Sequence, residues 1–150
     1  MFRSIFEANL DAKGRLAIPV KFREDPLISD SDGKMVVTAD RSKCLLLYPL
    51  SDWERIEQQL AGLSSLNSTA VKLKRFILGY ATDVDLDVQG RILLPSQLRE
   101  FAGLQKKIVL SGLTNKIEIW HKESWAGTQN DWLTANLGDE DQDIINSVVL

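Results

Sequence analysis

The sequence predicts a β-rich α+β fold in which two tandem copies of one small module share a single core, with short helices. Three observations lead there. The segment Leu10-Asp11-Ala12-Lys13-Gly14-Arg15-Leu16-Ala17-Ile18-Pro19 returns 76 residues later as Leu86-Asp87-Val88-Gln89-Gly90-Arg91-Ile92-Leu93-Leu94-Pro95. The match then continues in order, pairing Phe22-Arg23-Glu24 with Leu98-Arg99-Glu100, Leu47-Tyr48 with Ile119-Trp120, and Trp53 with Trp125. An ordered match of this length is the mark of internal duplication. Finally, the four prolines and nine glycines punctuate turns and no flexible linker separates the copies, so the core is expected to be shared.

Each repeated motif begins as a turn. Asp11 and Gly14, like Asp87 and Gly90, stand three apart. Aspartate accepts backbone N–H bonds at the start of such a turn, and glycine takes the positive φ at its end. Arg15-Leu16-Ala17-Ile18 and Arg91-Ile92-Leu93-Leu94 then read as short strands, so Asp-x-x-Gly-Arg is expected at the tip of a hairpin, with the arginine on the returning strand. A short helix follows each proline, carried by Phe22 in the first copy and by Leu98 and Phe101 in the second.

A second hairpin is expected in each copy. Met35-Val36-Val37-Thr38 faces Cys44-Leu45-Leu46-Leu47-Tyr48, and Ile108-Val109-Leu110-Ser111 faces Ile117-Glu118-Ile119-Trp120. The alternation at Ile117, Glu118 and Ile119 predicts one wet face. Ser51-Asp52-Trp53-Glu54 reads as a capping box before a helix with an apolar stripe of Trp53, Ile56, Leu60 and Leu63. Asn67 is placed to cap a linker helix ending at Tyr80. The resulting organisation is a first module over 5–53, linker helices over 54–80, a second module over 81–125, and a C-terminal helix with an acidic tail over 126–150.

Composition narrows function. The chain is 44% hydrophobic and 26% charged, ordinary for a globular protein. No apolar run is long enough to span a bilayer, and the first residues lack the apolar stretch of a signal peptide. One cysteine, Cys44, permits no intrachain disulfide, which fits a cytoplasmic protein. The net charge is −3, yet Asp131, Asp139, Glu140, Asp141 and Asp143 fall after the last basic residue. Residues 1–130 therefore carry +2, 18 basic against 16 acidic side chains.

Arg15 and Arg91 are the candidate functional residues. A guanidinium fork matches guanine O6/N7 or a phosphate bidentately, so two related arginines could present a pair to a DNA groove. The alternative is an arginine that bridges to the aspartate of its own turn and ties the hairpin. Charge distinguishes the copies: 9–23 holds Lys13, Arg15, Lys21 and Arg23 against Asp11, a balance of +3, whereas 85–99 balances to zero. Anion binding is expected to favour the first copy, with Arg3 adding to it. Lys72, Lys74 and Arg75 read as a solvated helix face.

Asp83, Asp85 and Asp87 lack the glycine and glutamate of a calcium loop and read as acids on the wet face of a strand. His121 and Cys44 form no nucleophile–base arrangement, and no phosphate loop or metal-ligand spacing appears. The four tryptophans read as packing residues. No enzyme, cofactor or metal is expected.

The opening Met1-Phe2-Arg3, residues 10–15, Cys44-Leu45-Leu46-Leu47-Tyr48-Pro49-Leu50, Leu78-Gly79-Tyr80-Ala81-Thr82, residues 87–95, and Lys116-Ile117-Glu118-Ile119-Trp120 together resemble the MraZ family. That family belongs with the swapped-hairpin modules of the AbrB/SpoVT superfamily of bacterial DNA-binding proteins. The resemblance spans about residues 1–132. It implies two AbrB-like modules in a transcriptional regulator that binds short direct repeats of double-stranded DNA in its own promoter, within the division and cell-wall gene cluster. It also implies a ring-shaped homo-oligomer in the cytoplasm, associated with the nucleoid. The family's D-x-x-x-R motif falls on Asp11/Arg15 and Asp87/Arg91. This sequence departs at Gln89, opposite Lys13, which leaves open whether the second copy touches DNA or only builds the scaffold. A different reading is an antitoxin-like interaction module that uses the acidic C-terminal tail.

Overall fold

Each repeated turn sends its returning strand to the other copy. The computed structural model describes residues 1–150. The first copy contributes β1 (Ile5–Asn9), β2 (Arg15–Ala17), α1 (Val20–Arg23), α2 (Pro26–Ser29), β3 (Lys34–Ala39), β4 (Leu45–Pro49) and α3 (Leu50–Ala61). After α4 (Ser68–Tyr80) the second gives β5 (Thr82–Asp85), β6 (Arg91–Leu93), α5 (Ser96–Phe101), β7 (Lys107–Leu113), β8 (Lys116–His121) and α6 (Lys122–Thr134), followed by α7 (Asp139–Asn146).

The strands form an antiparallel six-stranded sheet in the order β1-β7-β8-β4-β3-β5 and a separate two-stranded ribbon of β2 and β6. Read from its centre outward, the sheet order is the same in both directions once the copies are exchanged. Strand β1 of the first copy pairs with β7 of the second, and β5 of the second pairs with β3 of the first. In the first copy the expected hairpin arms share only the bridge Leu10–Leu16 before diverging. The tip is local, as its chemistry requires, but β2 finds its ladder partner in β6. The modules are swapped, and neither half can complete its sheet alone.

Period-two alternation divides the core. Met35, Val37, Leu45, Leu47, Ile108, Leu110, Ile117 and Ile119 face the ribbon and join Leu16, Ile18, Ile92, Leu94, Phe22 and Leu98 in the larger cluster. Burying each such side chain contributes about 1.5–3 kcal/mol. Val36, Cys44, Leu46, Tyr48, Val109 and Trp120 face the other way, under Trp53 of α3 and Trp125 of α6. The sheet therefore has no wet face at β8. Glu118 is half-buried, and Trp120 Nε1–H donates to its Oε1 at 3.3 Å. The alternation seen at Ile117–Ile119 separates two covered faces.

Three local expectations need correction. Helix α3 starts at Leu50 with Pro49 at its N-cap and no side-chain cap. Strand β4 runs into the helix without a loop, so Ser51 already lies inside it and no capping box forms. Leu63 lies beyond the helix and is exposed, leaving Trp53 and Leu60 buried and Ile56 packed at their edge. Trp132 is also exposed, unlike the other three tryptophans. Asn67 does cap α4, accepting from the Ala70 N–H at 3.0 Å. The sequence reading missed α2, although Asp25-Pro26 announces it: Asp25 accepts from the Leu27 N–H at 3.0 Å and Pro26 opens the helix.

Candidate nucleic-acid interface

The two Asp-x-x-Gly-Arg turns are built alike. Asp11 Oδ1 accepts the backbone N–H groups of Lys13 and Arg15, both at 2.9 Å. Asp87 Oδ1 accepts those of Gln89 and Arg91, again at 2.9 Å. Gly14 and Gly90 close the turns at φ +85° and +76°. Each arginine then folds back, Arg15 Nε donating to Asp11 Oδ2 at 2.8 Å and Arg91 Nε to Asp87 Oδ2 at 2.9 Å. The backbone N–H of Arg15 holds the Asp11 carboxyl below its ordinary range, with the Arg15 guanidinium and the Lys13 N–H acting in the same direction. Arg91 and Gln89 do the same for Asp87.

The bridge from arginine to its own aspartate is thus present, and it leaves the Nη edge of the fork open. Only Nε is engaged; neither Nη nitrogen of Arg15 or Arg91 makes a hydrogen bond within the chain. The aspartate sets the plane of the guanidinium while the Nη edge stays available for a bidentate contact.

The ribbon puts both forks on one surface. Its register pairs Arg15 with Leu93, Leu16 with Ile92, and Ala17 with Arg91. Leu16 and Ile92 point inward and are essentially inaccessible, at 0% and 1%. Arg15, Ala17, Arg91 and Leu93 therefore share the outer face, with the arginines at diagonal positions roughly 7–8 Å apart. Lys13 is exposed at the tip of the first turn, as Gln89 is at the second. Leu93 and Val88 are exposed apolar side chains on the same ridge. A two-stranded ribbon fits the major groove of B-DNA, about 12 Å wide.

The swap also redistributes charge. Arg23 Nε donates to Ile18 O at 2.7 Å, and its guanidinium lies over Gly90 of the other copy. Arg99 Nε donates to Leu94 O at 3.0 Å and lies over Gly14. The positive balance of 9–23 is therefore contiguous in sequence but divided in space. Arg23 belongs with the second turn and Arg99 with the first. The excess on the first turn rests on Lys13 against Gln89. Sequence reasoning counted these two arginines only in the charge balance of their own copy, although both copies place an arginine four residues after the motif's proline.

The remaining candidates lie elsewhere. Arg3 is exposed ahead of β1, with its backbone against Gly112, and makes no hydrogen bond to either turn. Lys72 and Arg75 are solvated on α4, while Lys74 Nζ donates to Leu63 O at 2.7 Å just after α3. Asp83 and Asp85 are exposed on β5 with Val84 buried between them. Cys44 is fully buried and its thiol is pushed up to about 12 by burial, which leaves it without thiolate character at neutral pH. No helix is long and apolar enough to cross a membrane.

With this geometry in place, the comparisons are specific. A family model described as "MraZ protein, putative antitoxin-like" matches the chain twice, over residues 1–76 and 77–146. The chain belongs to the MraZ family. It is 43% identical over 150 residues to the transcriptional regulator MraZ of Thioalkalivibrio sulfidiphilus, covering 100% of this chain and 97% of the relative. It is 46% identical over 151 residues to that of Alkalilimnicola ehrlichii, covering both chains fully. Over 126 residues it is 52% identical to that of Shewanella baltica, covering 83% of this chain and 82% of the relative. The double match fits the tandem, swapped architecture, and MraZ proteins are transcriptional regulators rather than enzymes.

Proposed function

We propose that this MraZ family member is a sequence-specific DNA-binding regulator that reads double-stranded DNA with the β2/β6 ribbon. The observation that carries the reading is the placement of Arg15 and Arg91 on one outer ribbon face, each fork oriented by its own aspartate with the Nη edge open. Arg15 is the main base-reading residue, Lys13 beside it meets phosphate, and Arg91 supports them from the second copy. Arg3 adds positive potential at longer range. Leu93 can meet a thymine methyl group between the two arginines.

One ribbon offers few contacts, so useful affinity calls for several ribbons on one DNA. A ring-shaped homo-oligomer engaging short direct repeats in its own promoter, in the division and cell-wall gene cluster, supplies that through effective concentration. Such a regulator works in the cytoplasm on the nucleoid. Fluorescence anisotropy with promoter fragments tests the reading across a salt series. Arg15→Ala is expected to lose at least tenfold in affinity with its assembly intact by light scattering. Undiminished binding by that variant overturns the assignment.

A further inference from the structure

The two flanks of the ribbon are related by the pseudo-twofold, yet they differ in charge. Beside the first turn, the Leu10 N–H donates to Lys106 O at 2.8 Å, which seats residues 104–107 against the base of the turn. A cleft there is lined by Asp11, Arg99, Gln105 and Lys106. It continues into a second, lined by Gln105, Lys106, Lys107, His121, Lys122 and, at the start of α6, Glu123. Sharing Gln105 and Lys106, the two form one track that leads away from Lys13 and Arg15.

Beside the second turn the same scaffold carries different chemistry. The Leu86 N–H donates to Gly33 O at 3.1 Å, the counterpart of the Leu10–Lys106 bond. The sheet register and this bond put Gly33 where the first flank has Lys106, Asp32 where it has Gln105, Asp85 where it has Asn9, and Leu50 where it has Lys122. All four differences make the first flank more positive. Glu123, against Ser51, is the one step the other way, while Arg99/Arg23 and Lys107/Lys34 are matched. Helix packing does not account for Lys106 and Lys107: both are exposed and neither side chain makes an ion pair or hydrogen bond.

We infer that the duplex engaged by the ribbon leaves it over this first flank, with its phosphate backbone held by Lys106 and Lys107. The inference rests on the ribbon being the DNA-reading surface and adds the direction in which DNA runs from it. Ribbon side chains read base edges, whereas lysines on the flank contact phosphates and fix orientation without reading sequence. Lys122 contributes less, because its Nζ already pairs with Glu7 Oε1 at 3.0 Å. The second flank carries Asp32 and Asp85 where the first has Gln105 and Asn9, and it repels the backbone, while Asp83 is matched by Glu7.

The test compares Lys106→Ala/Lys107→Ala with Lys34→Ala and Arg15→Ala in the full chain, on promoter and random duplexes over a salt series. Removing one lysine–phosphate pair lowers the slope of log affinity against log salt by about 0.9 per bound chain. The double variant is expected to lose about twice that, weakening both duplexes alike so that their affinity ratio is kept. Lys34→Ala is expected to keep the full slope. If Arg15→Ala abolishes promoter binding while the double variant keeps the parental slope, the flank assignment fails and the ribbon reading stands. If Arg15→Ala binds normally, both fail. Loss of assembly in the double variant would place these lysines between copies and overturn the inference as well.

Discussion

Arg99 lies so close over Gly14 that a Cβ on that glycine would stand 2.8 Å from the arginine Nε. Gly90 meets Arg23 in the same way, at 2.5 Å from Nη1. Each turn is thus closed from outside by a side chain of the opposite copy. Two backbone bonds lie alongside: Leu94 N–H to Gly14 O at 2.8 Å, and Ile18 N–H to Gly90 O at 2.9 Å.

Gly14→Ala and Gly90→Ala are expected to destabilise the chain by about 1–3 kcal/mol each. Positive φ costs an L-residue about 1 kcal/mol, and the rest comes from displacing the overlying arginine. Urea unfolding measures the loss. A change of a few tenths would mean that the arginines move aside without cost and that the cross-copy closure is not structural.

The two turn aspartates make stability acid-sensitive in a defined direction. Their carboxyls titrate below the ordinary range in the folded chain, first because of the backbone N–H bonds from Arg15 and Arg91. A depressed folded value contributes stability that is fully present above the unfolded value of about 3.9 and is lost as pH falls through the folded one. Asp11→Asn/Asp87→Asn is therefore expected to flatten the stability curve below about pH 4 and leave its shape unchanged at neutral pH. Thermal unfolding between pH 2 and pH 7 reads this directly. An acid limb identical to that of the parent chain would falsify the role given to the turns.

Leu16 and Ile92 face each other across the ribbon and fill the space between it and the sheet. Replacing either with alanine is expected to cost about 2–5 kcal/mol. Because they are neighbours, the double variant should depart from additivity by about 0.5–3 kcal/mol. A double-mutant cycle in denaturant checks both figures, and strict additivity would show that the ribbon strands pack independently.

Much of the architecture could be read from the residues because the informative interactions are short in range. Asp11 and Gly14 build their turn from atoms within five residues, and Asn67 caps α4 three residues on. The period-two strands were equally plain. What pattern alone could not supply was the partner of each strand. Arg15-Leu16-Ala17 alternates identically whether it pairs with its own copy or with β6, and only the family resemblance pointed to the swap. The same non-locality misplaced charge, since Arg23 and Arg99 act beside turns 67 and 85 residues away in sequence. Glu118 looked solvent-facing because nothing in β8 announces that its carboxylate lies against Trp120 and against Cys44 at the approach to β4.

Joining β2 and β6 in one polypeptide changes what dilution can do. If the copies were separate chains, the ribbon would exist only above the dissociation constant of a dimer. Here α3 and α4 tether the halves, and closure is intramolecular, governed by an effective concentration rather than by how much protein is present. The ribbon therefore survives at any abundance, and only encounters between whole chains remain subject to mass action. Tethering also lets one half change without the other, so a patch such as Lys106-Lys107 can arise on one flank while its twin at Gly33-Lys34 stays unaltered.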